Sequence, residues 1–225
     1  MSLKWVGSFV PARSKLFWGG NYFFATIPER LSLVSSLDLN RLNKTAISPS
    51  DIWPPIEPGL SRAPVPLPAD CFLKQASLVS YDEKTEASTK VAGHLLKEAK
   101  VCGVLKRHPH PNIATYLGCV VEDGSVKGLC FVRLEITKPF DTDRCRQGIE
   151  EGVRHLQLYY FMLDEADNNP VIIDFDSCVQ EGQGLGLSTG AIGWSNGATI
   201  ATRENDYFGL SKLRDVLDNH NRNSR

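Results

Sequence analysis

Hydrophobic residues recur at intervals of three and four positions in one long stretch, residues 88–106. They are Val91, Leu95, Leu96, Ala99, Cys102 and Leu105. This spacing predicts a helix with one apolar face. The helix must end at the His-Pro-His-Pro-Asn turn over residues 108–112, because proline cannot continue the hydrogen-bond ladder and restrains the residue before it. Two further patterns of this kind predict helices over residues 147–158 and 206–217.

Short apolar runs bounded by turn residues predict strands elsewhere in the chain. They cover residues 71–74, 77–81, 113–121, 126–136, 159–163 and 171–173. The third and fourth runs flank a Glu-Asp-Gly-Ser turn and predict a hairpin. The last run follows Asn169 and Pro170, predicts a buried strand and leads into Asp174-Phe175-Asp176. A strand that ends in this way directs two carboxylates out of a core.

The first 70 residues lack such patterns. Residues 1–50 mix aromatic, polar and basic side chains without a sustained period, so the pattern predicts no particular fold. Prolines at positions 54, 55, 58, 64, 66 and 68 then exclude a regular helix and a central strand. We therefore expect residues 1–70 to form an irregular, proline-rich N-terminal extension, with the proline segment as a linker or an extended strap. A ligand for a proline-binding module is the alternative role for that segment.

The composition limits the class of protein and its partners. The chain has 225 residues, of which 42% are hydrophobic and 23% are charged, with a formal net charge of −1 and a pI near 6.5. This predicts a soluble globular protein of one domain or two small ones. Because there is no broad basic field, nucleic acids and anionic membranes are not expected partners. Without a membrane-length apolar stretch or a convincing signal peptide, we expect a cytoplasmic protein.

The cysteines and histidines show no metal-site spacing. The six cysteines have no Cys-x-x-Cys pair and lie mostly among apolar neighbours. We interpret them as small buried hydrophobes in a reducing compartment rather than as a zinc site. Cys178 has a second interpretation, as a reactive thiol near Asp174. His108 and His110 are interpreted as turn residues rather than as metal ligands.

The order of these features resembles that of a protein kinase. A strand with Lys74 precedes a helix with an inward Glu98, and the proline turn, two strands, a helix and the Asp-Phe-Asp sequence follow. In that family a strand lysine pairs with a helix glutamate and holds nucleotide phosphates, while the aspartate of Asp-Phe-Gly binds magnesium. The resemblance therefore implies nucleotide-binding roles for Lys74 and Glu98 and a metal-binding role for Asp174.

More narrowly, five segments within residues 71–217 resemble the kinase-like proteins of filamentous fungi. They are residues 96–102, 109–119, 128–133, 171–178 and 204–210. The resemblance implies an α+β, protein kinase-like fold in which residues 71–138 form the N-lobe sheet and its αC helix. Residues 139–225 would form a truncated, mainly helical C-lobe, in which Asp206 matches a buried anchoring aspartate.

The chain departs from the kinase pattern where the catalytic loop should lie. Residues 155–158 run directly into the apolar run at 159–163, so that about a dozen residues, including the His-Arg-Asp sequence and a second metal ligand, are absent. We therefore assign no catalytic residue. His155 is interpreted as a helix-end residue, and Asp164 and Asp167 as solvated turn acids.

The nucleotide-binding part also departs from the pattern. No Gly-x-Gly-x-x-Gly sequence precedes Lys74, and the glycines at 182, 184 and 186 are interpreted as part of a flexible loop over residues 180–195. Asp176 replaces the glycine of Asp-Phe-Gly, which removes backbone freedom but adds an acid that could assist a metal.

The resemblance and its gaps imply a kinase-like domain of ATP-dependent, Ser/Thr-type ancestry that transfers phosphate poorly or not at all. ATP and Mg²⁺ are the implied cofactors, bound weakly or not at all. The alternative is a pseudokinase or truncated interaction protein without nucleotide binding, whose shortened C-lobe exposes apolar surface to a protein partner. A gene model that skipped a coding segment between Gln157 and Leu158 would give the same sequence from an active kinase, which sequencing of the transcript would reveal.

Overall fold

The computed structural model describes residues 4–7, 14–18, 21–25, 44–78, 81, 91–134, 142–158, 170–185 and 193–223. Over these ranges the chain is a mixed α+β protein with two small antiparallel sheets and four helices. None of the helices in these ranges combines the length and the hydrophobicity that crossing a membrane requires.

The first sheet is built from N-terminal residues. Its strands are β1 (Lys4–Gly7), β2 (Ser14–Trp18), β3 (Asn21–Ala25) and β4 (Lys44–Ile47), which pair antiparallel in that order. The structure thus differs from the irregular extension expected for these residues. The physical reason is that a strand is stabilised by its cross-strand neighbours, which a search for local periodicity does not detect.

A helical turn and a strap lead to the second sheet. Helix α1 (Pro49–Ile52) begins with proline, at a position where a backbone N–H would have no helical acceptor. The proline segment then runs beside residues 119–126 as an extended strap. The Val126 N–H donates to the Pro54 carbonyl at 2.8 Å, and the Ala63 N–H donates to the Cys119 carbonyl at 2.8 Å. The proline segment was predicted to be a linker or an extended strap, and the structure shows the extended strap.

The second sheet contains the predicted hairpin. Strands β5 (Cys71–Gln75), β6 (Tyr116–Glu122) and β7 (Ser125–Val132) form an antiparallel sheet in the order β5-β7-β6. Asp123 and Gly124 join β6 to β7 with φ angles of 48° and 74°, which fit a two-residue type I′ turn. The prediction of the hairpin and of the strand at β5 is confirmed, although β6 begins at Tyr116 rather than at residue 113.

Helix α2 (Val91–Arg107) packs against this sheet and ends at the proline turn, as predicted. Its buried face contributes to the main core together with β6, β7 and one aromatic residue from late in the chain. The core residues include Leu95, Ala99, Cys102, Leu105, Tyr116, Val126, Leu129 and Phe175. The predicted apolar face of α2 is therefore the face that packs against the sheet.

Two longer helices complete the described structure. Helices α3 (Thr142–Leu158) and α4 (Arg203–Asn223) contact each other, and Arg214 Nε donates to Glu150 Oε1 at 2.8 Å. Both helices are confirmed but extend beyond their predicted spans. The hydrophobic pattern does not predict the start of α3, because its first turn is mostly polar and carries an ion pair of Asp143 with Arg146 at 3.3 Å.

The apolar run at residues 171–173 does not form the predicted buried strand. Ile172 makes an isolated parallel bridge to Ile113, and Ile173 is 62% exposed. The prediction is wrong because the run pairs with a single stretch beside Asn112, whose carbonyl accepts the Ile172 N–H at 2.7 Å, and joins neither sheet of the described structure.

Three other predicted segments have mixed outcomes. The described positions of residues 77–81 contain no strand, so that prediction is also wrong there. The predicted strand at residues 159–163 lies outside the described residues. The described positions of the loop at residues 180–195 are irregular, as predicted, apart from a bridge between Gly184 and Ile200.

Candidate functional site

Three elements meet at one lysine. Lys74 lies on β5 with its side chain 26% exposed, and its Nζ donates to Glu98 Oε1 of α2 at 2.7 Å. The same Nζ donates to Asp174 Oδ1, from the segment that follows Ile172. Glu98 and Asp174 are 24 and 100 positions from Lys74 along the chain. The structure therefore brings together the residues singled out in the sequence, and we call Lys74, Glu98 and Asp174 the lysine cluster.

Glu98 is the buried member of the lysine cluster. It lies on the core face of α2, is 2% exposed, and accepts a second hydrogen bond on Oε1 from the Phe175 N–H at 3.1 Å. Burial raises the pKa of the Glu98 carboxyl, and the hydrogen bond and charge of Lys74 act against that rise. Glu98 thus links the strand that carries Lys74 to the backbone next to Asp174.

Asp174 is the exposed member of the lysine cluster. Its side chain is 61% exposed, and its backbone is left-handed, with a φ of 69°. Aspartate tolerates this conformation better than most residues. It precedes a 3-10 turn, Phe175–Ser177, in which Phe175 is 1% exposed and belongs to the main core. The aromatic side chain therefore anchors the turn while the carboxylate of Asp174 points outward to Lys74.

The lysine cluster holds Lys74 in its charged form. Burial acts to lower the pKa of Lys74, but hydrogen bonds and charge interactions with Asp174 and Glu98 outweigh burial and raise it. With Lys74 protonated, two carboxylates share one ammonium group. A cation or a phosphate group that entered the site would therefore have to compete with an existing ion pair.

A cavity of about 150 Å³ lies beside the lysine cluster. Its polar wall includes Lys74, Ser77, His94, Glu98 and Asp176. Pockets that enclose a drug-sized ligand usually measure about 300–1,000 Å³. The cavity is therefore smaller than a nucleoside triphosphate requires, and binding of such a ligand would need the walls to move.

His155 has a structural position. It is 6% exposed near the end of α3, and its Nε2 lies 2.9 Å from the His108 carbonyl oxygen. This agrees with its interpretation as a helix-end residue. The two turn acids considered with it, Asp164 and Asp167, lie outside the described residues.

The cysteines and acids provide no metal centre among the residues that the structure describes, where no group of three or more His, Cys, Asp or Glu side chains is placed to hold an ion. All six cysteines are free. Burial raises the pKa of the Cys178 thiol to about 11, which keeps it protonated at neutral pH and argues against a reactive thiolate.

Asp206 does not occupy the buried position that the kinase resemblance implies. It is exposed in the first turn of α4, next to Tyr207, which is 57% exposed. The prediction of a buried anchoring aspartate is wrong because this part of α4 presents its acidic face to solvent.

Asn112 is a site residue that the sequence pattern alone did not single out. It is fully buried, its Nδ2 donates to the Pro170 carbonyl at 2.9 Å, and its backbone carbonyl binds Ile172. Its Oδ1 has no hydrogen-bond partner within the described ranges. The signal available in sequence was its place at the end of the proline turn, where asparagine often bonds backbone groups. Asn112 thus positions the segment that leads to Asp174.

Comparisons of the chain with protein-family models, with curated proteins and with solved structures gave no match.

Proposed function

We propose that this chain is a kinase-like domain that binds ATP and Mg²⁺ weakly and has lost most or all of its phosphotransfer activity. The observation that carries the proposal is the ion pair between Lys74 of β5 and Glu98 of α2, with Asp174 on the same ammonium group. A kinase uses this trio to hold nucleotide phosphates and a metal ion. The order β5-β7-β6 with α2 between β5 and β6 in sequence supports the same proposal.

The donor groups of the lysine cluster suit these cofactors chemically. Mg²⁺ binds one or two carboxylates together with substrate phosphates and keeps several waters, and Asp174 is exposed enough to accept a hydrated ion. The ammonium group of Lys74 would contact phosphate oxygens. When bound, the nucleotide would supply a transferable phosphoryl group and the metal would neutralise its charge. The small cavity favours weak binding.

Loss of activity is proposed from the sequence that follows α3. No His-Arg-Asp-type sequence occurs between His155 and Asp174. A positioned general base contributes about 10²- to 10⁴-fold to a rate. We therefore expect phosphotransfer from labelled ATP to a generic protein substrate to be lower than that of an active kinase by at least this factor.

Calorimetric titration with ATP and MgCl₂, paired with thermal unfolding, tests the nucleotide-binding proposal. We expect saturable heat and a stabilisation that approaches about 2.7 kcal/mol at a ligand concentration of about one hundred times Kd. Lys74→Ala should abolish both effects. Lys100→Ala is the matched control, because Lys100 makes an exposed ion pair with Glu57 at 2.9 Å outside the lysine cluster. Absence of heat and of stabilisation in the wild type would reject nucleotide binding.

A second candidate function is an interaction domain without nucleotide. It is favoured by exposed apolar side chains on α4 and the residues before it, namely Trp194, Ile200, Tyr207 and Val216. Exposed apolar surface of this kind marks contact sites when it is contiguous. Sedimentation of the purified chain over a range of concentrations distinguishes the candidates: reversible self-association without a response to ATP supports the interaction domain, and an ATP-responsive monomer opposes it.

A further inference from the structure

The proline turn between α2 and β6 contains a hydrogen bond that requires a neutral histidine. The Asn112 N–H donates to His110 Nδ1 at 3.2 Å. A ring nitrogen accepts a hydrogen bond only through its lone pair, so Nδ1 of His110 carries no proton. The ring is therefore neutral, with its single proton on Nε2.

A second histidine packs on the same ring. His155 of α3 stacks on His110 with ring centroids 4.6 Å apart and an angle of 27° between the planes. His155 Nε2 lies 2.9 Å from the His108 carbonyl oxygen, and because a carbonyl can only accept, this nitrogen carries the proton. Partial burial and the packing of the second ring disfavour a positive charge on His110.

The turn transmits its conformation to the lysine cluster through Asn112. The Asn112 side chain donates to the Pro170 carbonyl at 2.9 Å, and the Asn112 carbonyl accepts the Ile172 N–H at 2.7 Å. Asp174 follows Ile172 by two positions and binds Lys74. A change in the Asn112 backbone would therefore reach the segment that places Asp174.

The charged groups around His110 favour its neutral form. Burial lowers the pKa of His110 and His155 lowers it further, whereas Glu151, one helical turn before His155, opposes them. From α2, Lys106 donates to a carbonyl of β6 and Arg107 is exposed. The stabilisation from a neutral His110 is fully present above the ordinary histidine pKa of about 6.5. It is lost as the pH falls through the lowered pKa of His110.

We propose that His110 is a proton-controlled latch: protonation of its Nδ1 turns the acceptor for the Asn112 N–H into a donor, so that the turn opens and releases the segment that carries Asp174. The latch involves no nucleotide. Its test is therefore independent of the proposed function, although an open latch would also weaken any ligand site that uses Asp174.

Amide hydrogen exchange by NMR, without nucleotide, tests the latch from about pH 7.5 to about pH 5, on both sides of the ordinary histidine pKa of about 6.5. After correction for intrinsic exchange rates, we expect exchange of the Ile172 amide to rise by up to about tenfold per pH unit, the limit for one proton, as the pH falls from about 6.5 towards the lowered pKa of His110, and to level off below it. The rise should share its midpoint with the titration of the His110 ring. Equal protection of Ile172 across the range would overturn the proposal.

Matched variants sharpen the test. His110→Asn supplies a side-chain oxygen as an acceptor without a titrating ring, so Ile172 protection should become independent of pH. His220→Asn, near the end of α4, should leave the dependence as in the wild type. Persistence of the dependence in His110→Asn would contradict the latch.

A third variant covers the case in which His110→Asn does not fold. His155→Gln keeps an N–H donor for the His108 carbonyl but removes the second ring. The pH midpoint of the His110 ring titration should therefore move upward towards the ordinary histidine value. The pH midpoint of Ile172 exchange should move with it, and Ile172 exchange that does not follow the shifted His110 titration would contradict the latch.

Discussion

The two carboxylates that bind Lys74 come from regions of opposite character. Glu98 belongs to a regular helix whose face is packed into the main core, and it is 2% exposed. Asp174 belongs to an irregular segment, has a left-handed backbone and is 61% exposed. One side of the lysine cluster is thus fixed by hydrophobic packing and the other by a small number of hydrogen bonds. Because few hydrogen bonds hold it, the Asp174 side should move at a smaller energetic cost than the Glu98 side.

The Asp174 side, which we call the adjustable side in contrast to the fixed Glu98 side, is nevertheless anchored at one residue. Phe175 is 1% exposed, packs in the main core, and donates its N–H to Glu98. Burial of a phenylalanine side chain stabilises by roughly 1.5–3 kcal/mol, which is more than a single neutral hydrogen bond contributes. We infer that residues 170–174, which precede Phe175 and include the partners of Asn112, move when the turn opens. The side chain of Phe175 stays in the main core.

Removal of a core side chain beneath the Glu98 side of the lysine cluster should cause the largest loss of stability. Leu129 of β7 lies opposite Lys74 in the sheet and is completely buried. Leu129→Ala should lower the free energy of unfolding by about 2–5 kcal/mol, because the core cannot collapse fully into the space. Leu134→Ala, at a position 50% exposed, is the matched control and should change it by less than about 0.5 kcal/mol. Equal effects in urea denaturation would mean that the sheet does not support the cluster.

Neutralisation of each carboxylate should distinguish the two sides directly. Glu98→Gln keeps an oxygen that accepts from Lys74 and Phe175 but places amide N–H donors in a buried position that held only a carboxylate, and should cost about 1–2 kcal/mol in urea denaturation. Asp174→Asn keeps a residue that tolerates the left-handed backbone at an exposed position, and should change stability by less than about 0.5 kcal/mol. Because burial raises the pKa of Glu98 in the folded state, the wild type gains stability as the pH falls through that pKa, so the cost of Glu98→Gln should grow on acidification. A larger loss from Asp174→Asn would reverse the comparison.

The fixed side was predictable from sequence because its determinants are local. The period of α2, its stop at the proline turn and the Asp123-Gly124 hairpin each act within a few residues. The contact of Lys74 with Glu98 is a contact over 24 positions, and it was expected only through the resemblance to kinases. Periodicity alone places Glu98 on the helix but not opposite that lysine.

The adjustable side was harder to predict because its structure depends on distant partners. Ile172 has the composition of a strand residue, but its conformation is set by Asn112, which lies 60 positions earlier. The N-terminal sheet shows the same difficulty, since β1 to β4 are defined by pairing and not by alternation. In the sequence, Gly19-Gly20 stands between two aromatic runs, which is a local hairpin signal and not a periodic one.

The contact of α3 with Asn112 and Pro170 gives a small predicted effect, and the sign of that effect is what matters. A Cβ at Gly148 would lie 2.5 Å from Asn112 Nδ2 and 2.6 Å from Pro170 Cδ. Overpacking of this kind costs about 1–3 kcal/mol, which exceeds or offsets the gain of about 1 kcal/mol from alanine in a helix. Gly148→Ala should therefore lower the free energy of unfolding by about 1 kcal/mol.

Gly209→Ala is the matched control, because a Cβ at Gly209 of α4 meets nothing within 4 Å and should add about 0.5–1 kcal/mol. A lower free energy of unfolding for Gly148→Ala and a higher one for Gly209→Ala, measured by urea denaturation, would show that α3 packs tightly against the turn that positions Asp174. If both variants are stabilised equally, α3 can move away from Asn112 without cost. In that case α3 does not hold the turn at His110 rigidly in place.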